Sequence, residues 1–506
     1  MGCVSKAGGW IATLARAARI TWVALACVLA YTLGSLRRLT IRDRARRASH
    51  RAHQRGRLLR WSFARLGATF IKVGQVMSSR SDLFSPGIIA ELRSLQDRVP
   101  PFPFTQVRQI VERELGAPLD RRFRAFCPTS IAAGSVAQVH RAVLRNGDVV
   151  AVKVLRPDVV CRARRDGRIL LWLAHTAHVL SARARVANVV AHTRDLVAGI
   201  LQQTDLSRER VNYERFRRNF AGTPGLAFPR VYRRYSTRSM LTMEYIEGTH
   251  VDATQADHLP GAARVIRSMF FAMCFDHGFV HADLHPGNVL IRPAGDVVIL
   301  DVGLVKRIPK SLMLQVGDFT RCLAGGDARD LVGHLRRFHR YLDDTDWVAL
   351  EADARTFIAS VRAKPILQLE LGAIVGELFA LARKHHIHPM PDMALILLGM
   401  VTSEGMAKRL DPDLDTFAAL GTYLGPRNAP RTRLARGSRT WLPDPNAQGV
   451  ATPALTPALP TPALPAPAQP TPPPTGVLCR PPTPRRRRPA ARPPDAQRAP
   501  RRPARH

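Results

Sequence analysis

Apolar and polar positions follow two rhythms along this chain. Ile20–Leu36 runs seventeen residues without a charge, near the short end of what crosses a bilayer. From Trp61 to Pro103 apolar residues recur at helical spacing until Pro100-Pro101-Phe102-Pro103 ends the run. Phe104–Phe126 continues as a further helical stretch. The rhythm then changes to strands. The small residues Ile131–Ser135 lead into two apolar runs joined at Asn146-Gly147, a hairpin turn signal, and the second run is Val149–Val154. Arg162–Phe220 is again helical and charged. Pro229–Tyr232 and Ser239–Met243 read as short strands, and Gly261–Gly278 as a helix. Val289-Leu290-Ile291 and Val297–Leu300 flank the turn Arg292–Asp296 as a second hairpin. Lys310–Tyr423 is mostly helical. Met390–Leu410 within it reads as a core helix, because Glu404 and Lys408 interrupt its apolar run. From about Gly425, Pro, Ala, Thr and Arg dominate without a periodic apolar face, the composition of a disordered tail. The fold class this implies is α+β.

Charge narrows the picture. The net charge is +37 over 506 residues, a balance suited to anionic lipid, nucleic acid or phosphate ligands. Of 76 basic residues only eight are lysines, a coding bias that makes each lysine informative, because a position needing only positive charge would usually be arginine here. The seven cysteines are scattered without a C-x-x-C, which argues against a zinc ribbon or a disulfide framework and for a reducing compartment. An Arg-rich stretch from Arg37 to Arg60 follows the apolar segment. If that segment spans, the Arg-rich side is cytoplasmic; an in-plane helix on anionic lipid is the alternative. A plain buried helix is the bland reading. Lys384-His385-His386-Ile387-His388 offers metal-ligand types, but a polar helix end is the favoured reading by several to one.

The chemistry concentrates in His281-Ala282-Asp283-Leu284-His285-Pro286-Gly287-Asn288 and Asp301-Val302-Gly303. In protein kinases a catalytic-loop Asp precedes a metal-binding Asn by five residues, and a D-x-G follows. Asp283, Asn288 and Asp301 have that order and spacing. The intervening hairpin would return Asp301 beside Asn288, so that both share one Mg²⁺ while Asp283 faces the acceptor. Lys153 sits in Val150-Ala151-Val152-Lys153, a match to the kinase V-A-I-K strand whose lysine holds the α- and β-phosphates of ATP. Ala132, Ala133, Gly134 and Ser135 lie where a phosphate loop would be, with side chains small enough to let backbone N–H groups approach. Glu209 is the candidate partner of Lys153, and Glu244 and Tyr245 fall in a stretch resembling the hinge between kinase lobes.

Together these residues resemble the UbiB, or ADCK, family of atypical kinases, from about Leu66 to Asp415. The most specific match is K-x-G-Q, here Lys72-Val73-Gly74-Gln75, with the flanking Ser79–Leu83 and Leu95–Pro101 motifs. Glu404-Gly405 and Leu410-Asp411-Pro412 match the late signature. The resemblance implies a two-lobed kinase-like fold with helices covering the site where a protein substrate would dock. It also implies ATP and Mg²⁺ as cofactors, and a supporting role in isoprenoid-quinone biosynthesis beside quinone-pathway proteins and membrane lipids. Lys72 and Gln75 would reach into the nucleotide site. The expected organisation is a membrane-associating segment at 1–60, the K-x-G-Q extension at 61–128, an N-lobe at 129–248, a helical C-lobe at 249–424 and the tail at 425–506. Three positions depart from the family pattern: Gln203-Thr204-Asp205 replaces an acidic E-x-D, Val302 replaces Phe, and Gly134 stands where Ala is frequent.

Four functions follow. An ATPase or small-molecule kinase uses the whole residue set. A protein kinase conflicts with the K-x-G-Q cover. A nucleotide-binding scaffold fits the loss at Gln203. Nucleic-acid binding ranks last, since the charge sits at the two ends without aromatic interleaving.

Overall fold

The computed structural model describes residues 6–37, 43–78, 85–92, 94–95, 100–181, 185, 189–254, 259–325, 327–339, 341, 345–363, 370–387 and 390–424. Ser79–Asp82 with Leu83, Gln96–Val99, His388 and the tail from 425 onward lie outside them.

The chain opens with α1 (Lys6–Arg37) and α2 (Arg44–Leu66), which run antiparallel. Arg16 Nη2 donates to the Leu66 carbonyl, Arg19 Nη2 to Arg65, and Gln54 Nε2 to Ala30. Next come α3 (Ala68–Ser78) and α4 (Pro86–Leu92). These helices share an apolar cluster in which Val23 meets Phe63, Leu66, Phe70, Val73 and Leu92. Gly74 is required there, because a Cβ would run into Leu95 and Phe63.

Two further helices, α5 (Phe104–Leu115) and α6 (Leu119–Arg122), precede a four-stranded antiparallel sheet of order β1-β2-β3-β5: β1 (Phe123–Ala133), β2 (Ala137–Leu144), β3 (Val149–Leu155) and β5 (Met240–Glu244). The helical stretch expected to reach Phe126 therefore ends at Arg122. Phe123 is buried in the cluster under the sheet, beside Val107, Ile110 and Val111 of α5, and tertiary packing outweighs local preference. β1 lies at the edge of the sheet, where Pro128 removes no needed ladder bond. The side chains of β3 alternate as strand geometry demands. Val150, Val152 and Val154 face α5, while Ala151 and Leu155 face the larger core.

The described residues continue with the helices α7 (Val159–Leu180), α8 (Val189–Gln203) and α9 (Leu206–Asn219), then the short strand β4 (Leu226–Ala227). The helical lobe begins after β6 (Thr249–His250) with α10 (Pro260–Phe275). Then come β7 (Phe279–His281), β8 (Val289–Ile291), β9 (Val297–Ile299) and β10 (Val305–Arg307). β8 and β9 form the expected hairpin, closed by Arg292 N to Asp296 O at 2.9 Å and turned at Gly295, φ +91°. Helices α11 (Lys310–Gly325), α12 (Ala328–Phe338), α13 (Trp347–Arg362), α14 (Leu371–Lys384), α15 (Pro391–Leu410) and α16 (Thr416–Leu424) complete the lobe. α10 packs directly on α15, where Gly399 makes room for the Phe270 ring. His385 is engaged with Asp353, and no metal-binding cluster of His, Cys, Asp and Glu occurs among the described residues. Among the described cysteines, Cys161 is disulfide-bonded, which the scattered spacing did not suggest, whereas Cys27, Cys127 and Cys274 are free.

Candidate active site

β3 delivers Lys153 on its inward face, and α9 delivers Glu209 one turn from its start. Asp205 fixes that start, since its carboxylate accepts from Ser207 N at 3.1 Å. Lys153 Nζ stands 2.9 Å from both Glu209 oxygens and 3.0 Å from Asp301 Oδ1. One ammonium thus serves two carboxylates. Burial opposes its charge, but Asp301 and Glu209 together hold Lys153 protonated well above the ordinary lysine range. Burial pushes Glu209 up to about 7, with Lys153 offsetting only part of the effect and Asp301 adding repulsion. Burial would also raise Asp301, yet Lys153 and then Lys72 hold its carboxyl well below the usual range. The Asp301 side chain is 52% exposed, so its carboxylate still faces the cleft.

Asp301 follows β9 in a left-handed conformation, φ +48°, which Asp tolerates better than most residues. Its N–H donates to the Tyr213 hydroxyl at 2.8 Å, and its Oδ1 accepts from Gly303 N at 3.3 Å. Asn212 Nδ2 donates to the Val302 carbonyl at 2.9 Å. Glu209, Asn212 and Tyr213 lie at i, i+3 and i+4 on one face of α9. Sequence reasoning singled out only Glu209; the helical spacing from it was the signal for the other two. A Cβ at Gly303 would stand 3.1 Å from Asp301 Oδ1 and 3.4 Å from Glu209 Oε2, so Gly preserves the ion cluster.

Asp283 leaves β7 with its N–H donated to His281 Nδ1 at 3.2 Å. Its carboxylate takes Lys72 Nζ at 2.6 Å. Burial would raise Asp283, but Lys72 and His285 bring its carboxyl below the ordinary value. Burial keeps His281 below its ordinary value and so favours the neutral ring. Asn288 is buried, and its Nδ2 donates to the Asp283 carbonyl at 3.1 Å. The amide oxygen is then the atom left for a cation. Leu300 N donates to Asn288 O at 2.7 Å, which sets Asn288 across the hairpin from the residue before Asp301.

The small-residue loop is the turn between β1 and β2. Ala132 and Ala133 end β1, and Gly134 N donates to Ala137 O at 2.9 Å. Arg156 Nε grips the Gly134 carbonyl at 2.8 Å. Ser135 is buried. At the hinge, Glu244 Oε2 accepts from Arg230 N at 3.1 Å, and Tyr245 N donates to Val149 O at 3.2 Å under the Arg141 guanidinium. Lys72, Lys153, Glu209, Asp283, Asn288 and Asp301 converge. Gln75 Nε2 donates to the Leu95 carbonyl at 3.3 Å, within the helical cover. Gln203 ends α8, and Asp205, the acid left of the E-x-D position, serves as a helix cap that Arg238 also approaches at 3.3 Å.

One carboxylate and one amide oxygen beside two lysines is a donor set for a hard cation and phosphate oxygens. Comparison with known proteins places this geometry in context. The family model of the ABC1 atypical kinase-like domain matches residues 94–334, and that of the UbiB helical domain matches residues 354–415. The probable protein kinase UbiB of Marinobacter nauticus is 32% identical over 390 residues, covering 73% of this chain and 69% of that one. The probable protein kinase UbiB of Pseudomonas fluorescens is 33% identical over 404 residues, covering 75% and 74%. A solved complex of Rv3197 with erythromycin, from Mycobacterium tuberculosis, is 22% identical with a TM-score of 0.45, over 62% of this chain and 84% of that one.

Proposed function

Because this chain belongs to the UbiB family of atypical kinases, we propose that it binds ATP with Mg²⁺ between its lobes and turns it over at a membrane surface in support of isoprenoid-quinone biosynthesis. The observation that carries this reading is the pair of lysine bridges, Lys153 to Glu209 and Asp301, and Lys72 to Asp283. Asp301 and Asn288 would hold the metal, which when bound neutralises charge on the transferring phosphoryl group. Lys153, locked by Glu209, would orient the α- and β-phosphates, with the Ala132–Ser135 turn covering them. Asp283 is held ionised by Lys72, so it orients an acceptor hydroxyl or water rather than storing its proton. Lys72 also occupies one of the two Asp283 carboxylate oxygens, from a helix that lies over the site. That favours a small acceptor, a membrane lipid or isoprenoid-quinone precursor, over a protein side chain.

Membrane contact rests on α1. Leu14–Ser35 is long and apolar enough to cross a bilayer, and Trp22, Leu25, Val28 and Leu29 are each more than half exposed. The basic helix α2 lies along it, with Arg55 over the Tyr31 ring. Spanning would draw Arg55 and Arg51 into hydrocarbon, which supports an in-plane helix over a crossing one.

The test is Mg²⁺-dependent ATP hydrolysis on anionic liposomes. Wild type is expected to turn over, and Lys153→Ala and Asp301→Asn each to lose at least about a hundredfold, as removal of an electrostatic catalytic group does. Unchanged turnover in both variants would overturn the reading. A second reading, a nucleotide-binding scaffold for quinone-pathway proteins, is favoured by one observation: no carboxylate stands at Gln203, and Asp205 is spent on capping. Wild type that binds Mg–ATP without turnover would select it.

A further inference from the structure

A cleft of about 620 Å³ opens behind the small-residue turn, between the N-terminal half of α1, the α2–α3 junction and the start of α7. Six arginines line it: Arg16, Arg19, Arg65, Arg156, Arg162 and Arg165. Asp166 is the one carboxylate among the described lining residues. It is spent on Arg16, with Nε to Oδ1 at 2.8 Å and Nη2 to Oδ2 at 2.9 Å. Five positive charges are thus in excess, walled into one concavity. Arg156 reports that crowding: burial lowers its proton affinity first, and the facing Arg162 lowers it further. The N-terminus of α7 opens into the same space through Pro157 and Val159, and the helix dipole adds positive potential there.

We propose that this cleft binds a phosphate or diphosphate group, carried either by a lipid headgroup or by a free anion. Guanidinium forks match phosphate oxygens in pairs, which a point-charge lysine does not. None of Lys72, Lys153, Asp283, Asn288 or Asp301 lines the cleft, so the site is distinct from the one assigned to ATP. The two share a wall. Ser135 lines the cleft, and Arg156 holds the Gly134 carbonyl from it. A lipid source fits the roof, since α1 presents Leu14 at 67% exposure beside the cleft and Trp22 one face further along.

The experiment is calorimetric titration of the full chain in nonionic detergent, with inorganic pyrophosphate in one arm and dihexanoyl phosphatidic acid in the other. It compares wild type, the double variant Arg162→Gln/Arg165→Gln and the single variant Lys153→Ala. Expected is a site present in wild type, retained in Lys153→Ala and weakened about a hundredfold in the double variant, about tenfold for each charge-assisted bond lost. Phosphatidic acid binding at least tenfold tighter than pyrophosphate identifies a lipid source; parity identifies a free anion. Loss of binding in Lys153→Ala with retention in the double variant places all phosphate affinity in the nucleotide site and overturns the proposal, as does no binding in either arm. Should the double variant lose its far-UV circular dichroism, Arg162→Lys/Arg165→Lys replaces it, with affinity expected to fall less than with Gln; affinity equal to wild type overturns the proposal. Because the comparison turns on the arginines, a chain without ATP affinity would still bind in the cleft.

Discussion

At the residue scale the site is a contest for two lysines. Glu209 is the loser: burial opposes its charge, and Lys153, which also serves Asp301, offsets only part of that. Its carboxyl, held up to about 7 against an ordinary 4.5, keeps a proton that the unfolded chain releases. Folded chain therefore binds more protons across that window, and stability falls as pH rises through it. Asp283 and Asp301 are shifted the other way. Their stabilisation is full above the ordinary carboxylate range and is lost on further acidification. Thermal unfolding without nucleotide should show the melting temperature falling from about pH 5 to about pH 7, and Glu209→Gln should flatten that slope. An equal slope in the variant would assign the effect elsewhere. The identities of Lys72, Lys153, Asp283, Asn288 and Asp301 were legible because each has a fixed spacing in a motif. The 2.6 Å bridge from Lys72 to Asp283 was not, because 211 residues separate the partners and no local pattern encodes that meeting. The bond from Gln75 Nε2 to the Leu95 carbonyl at 3.3 Å was likewise not legible, since no local pattern pairs the two.

At the element scale the two hairpins and the helical lobe were readable from turn residues and periodicity. The start of β1 was not. Phe123 and Phe126 are spaced as on a helix face, and only the apolar floor supplied by α5 makes the strand the better choice. The helix α3 has its own constraint at Gly74. A methyl group there meets Leu95 and Phe63, so Gly74→Ala should cost about 1–3 kcal/mol by overpacking. Denaturant melts would show this as a lower midpoint. Since α3 also carries Lys72, the variant should additionally raise the pH at which activity falls on the acid side, as Asp283 loses its cation. A lower midpoint with an unshifted acid limb would mean that α3 is not what positions Lys72.

At the scale of the whole molecule, α1 is an apolar helix whose inner side is occupied by α2 and whose outer side is bare. Acidic residues on that outer side should therefore abolish vesicle binding without unfolding the lobes. Leu25→Glu/Leu29→Glu is expected to stay in the supernatant on sedimentation with anionic vesicles, with wild-type circular dichroism. Sedimentation equal to wild type would remove α1 from the contact. The succession of helices, sheet and helical lobe was legible from periodicity and turn residues. How the cover meets the lobes was not, because it depends on pairs such as Arg16 with Asp166, 150 residues apart. The Lys72–Asp283 bridge carries one more consequence, for synthesis. Translation at about 5–20 residues per second makes α3 roughly 10–40 seconds before Asp283 emerges. The sheet lobe is made in the interval, so the cover and its seat both precede the catalytic loop. Asp283 thus emerges into a chain that already contains the lysine it pairs with, and the bridge closes on a partner made before the whole sheet lobe.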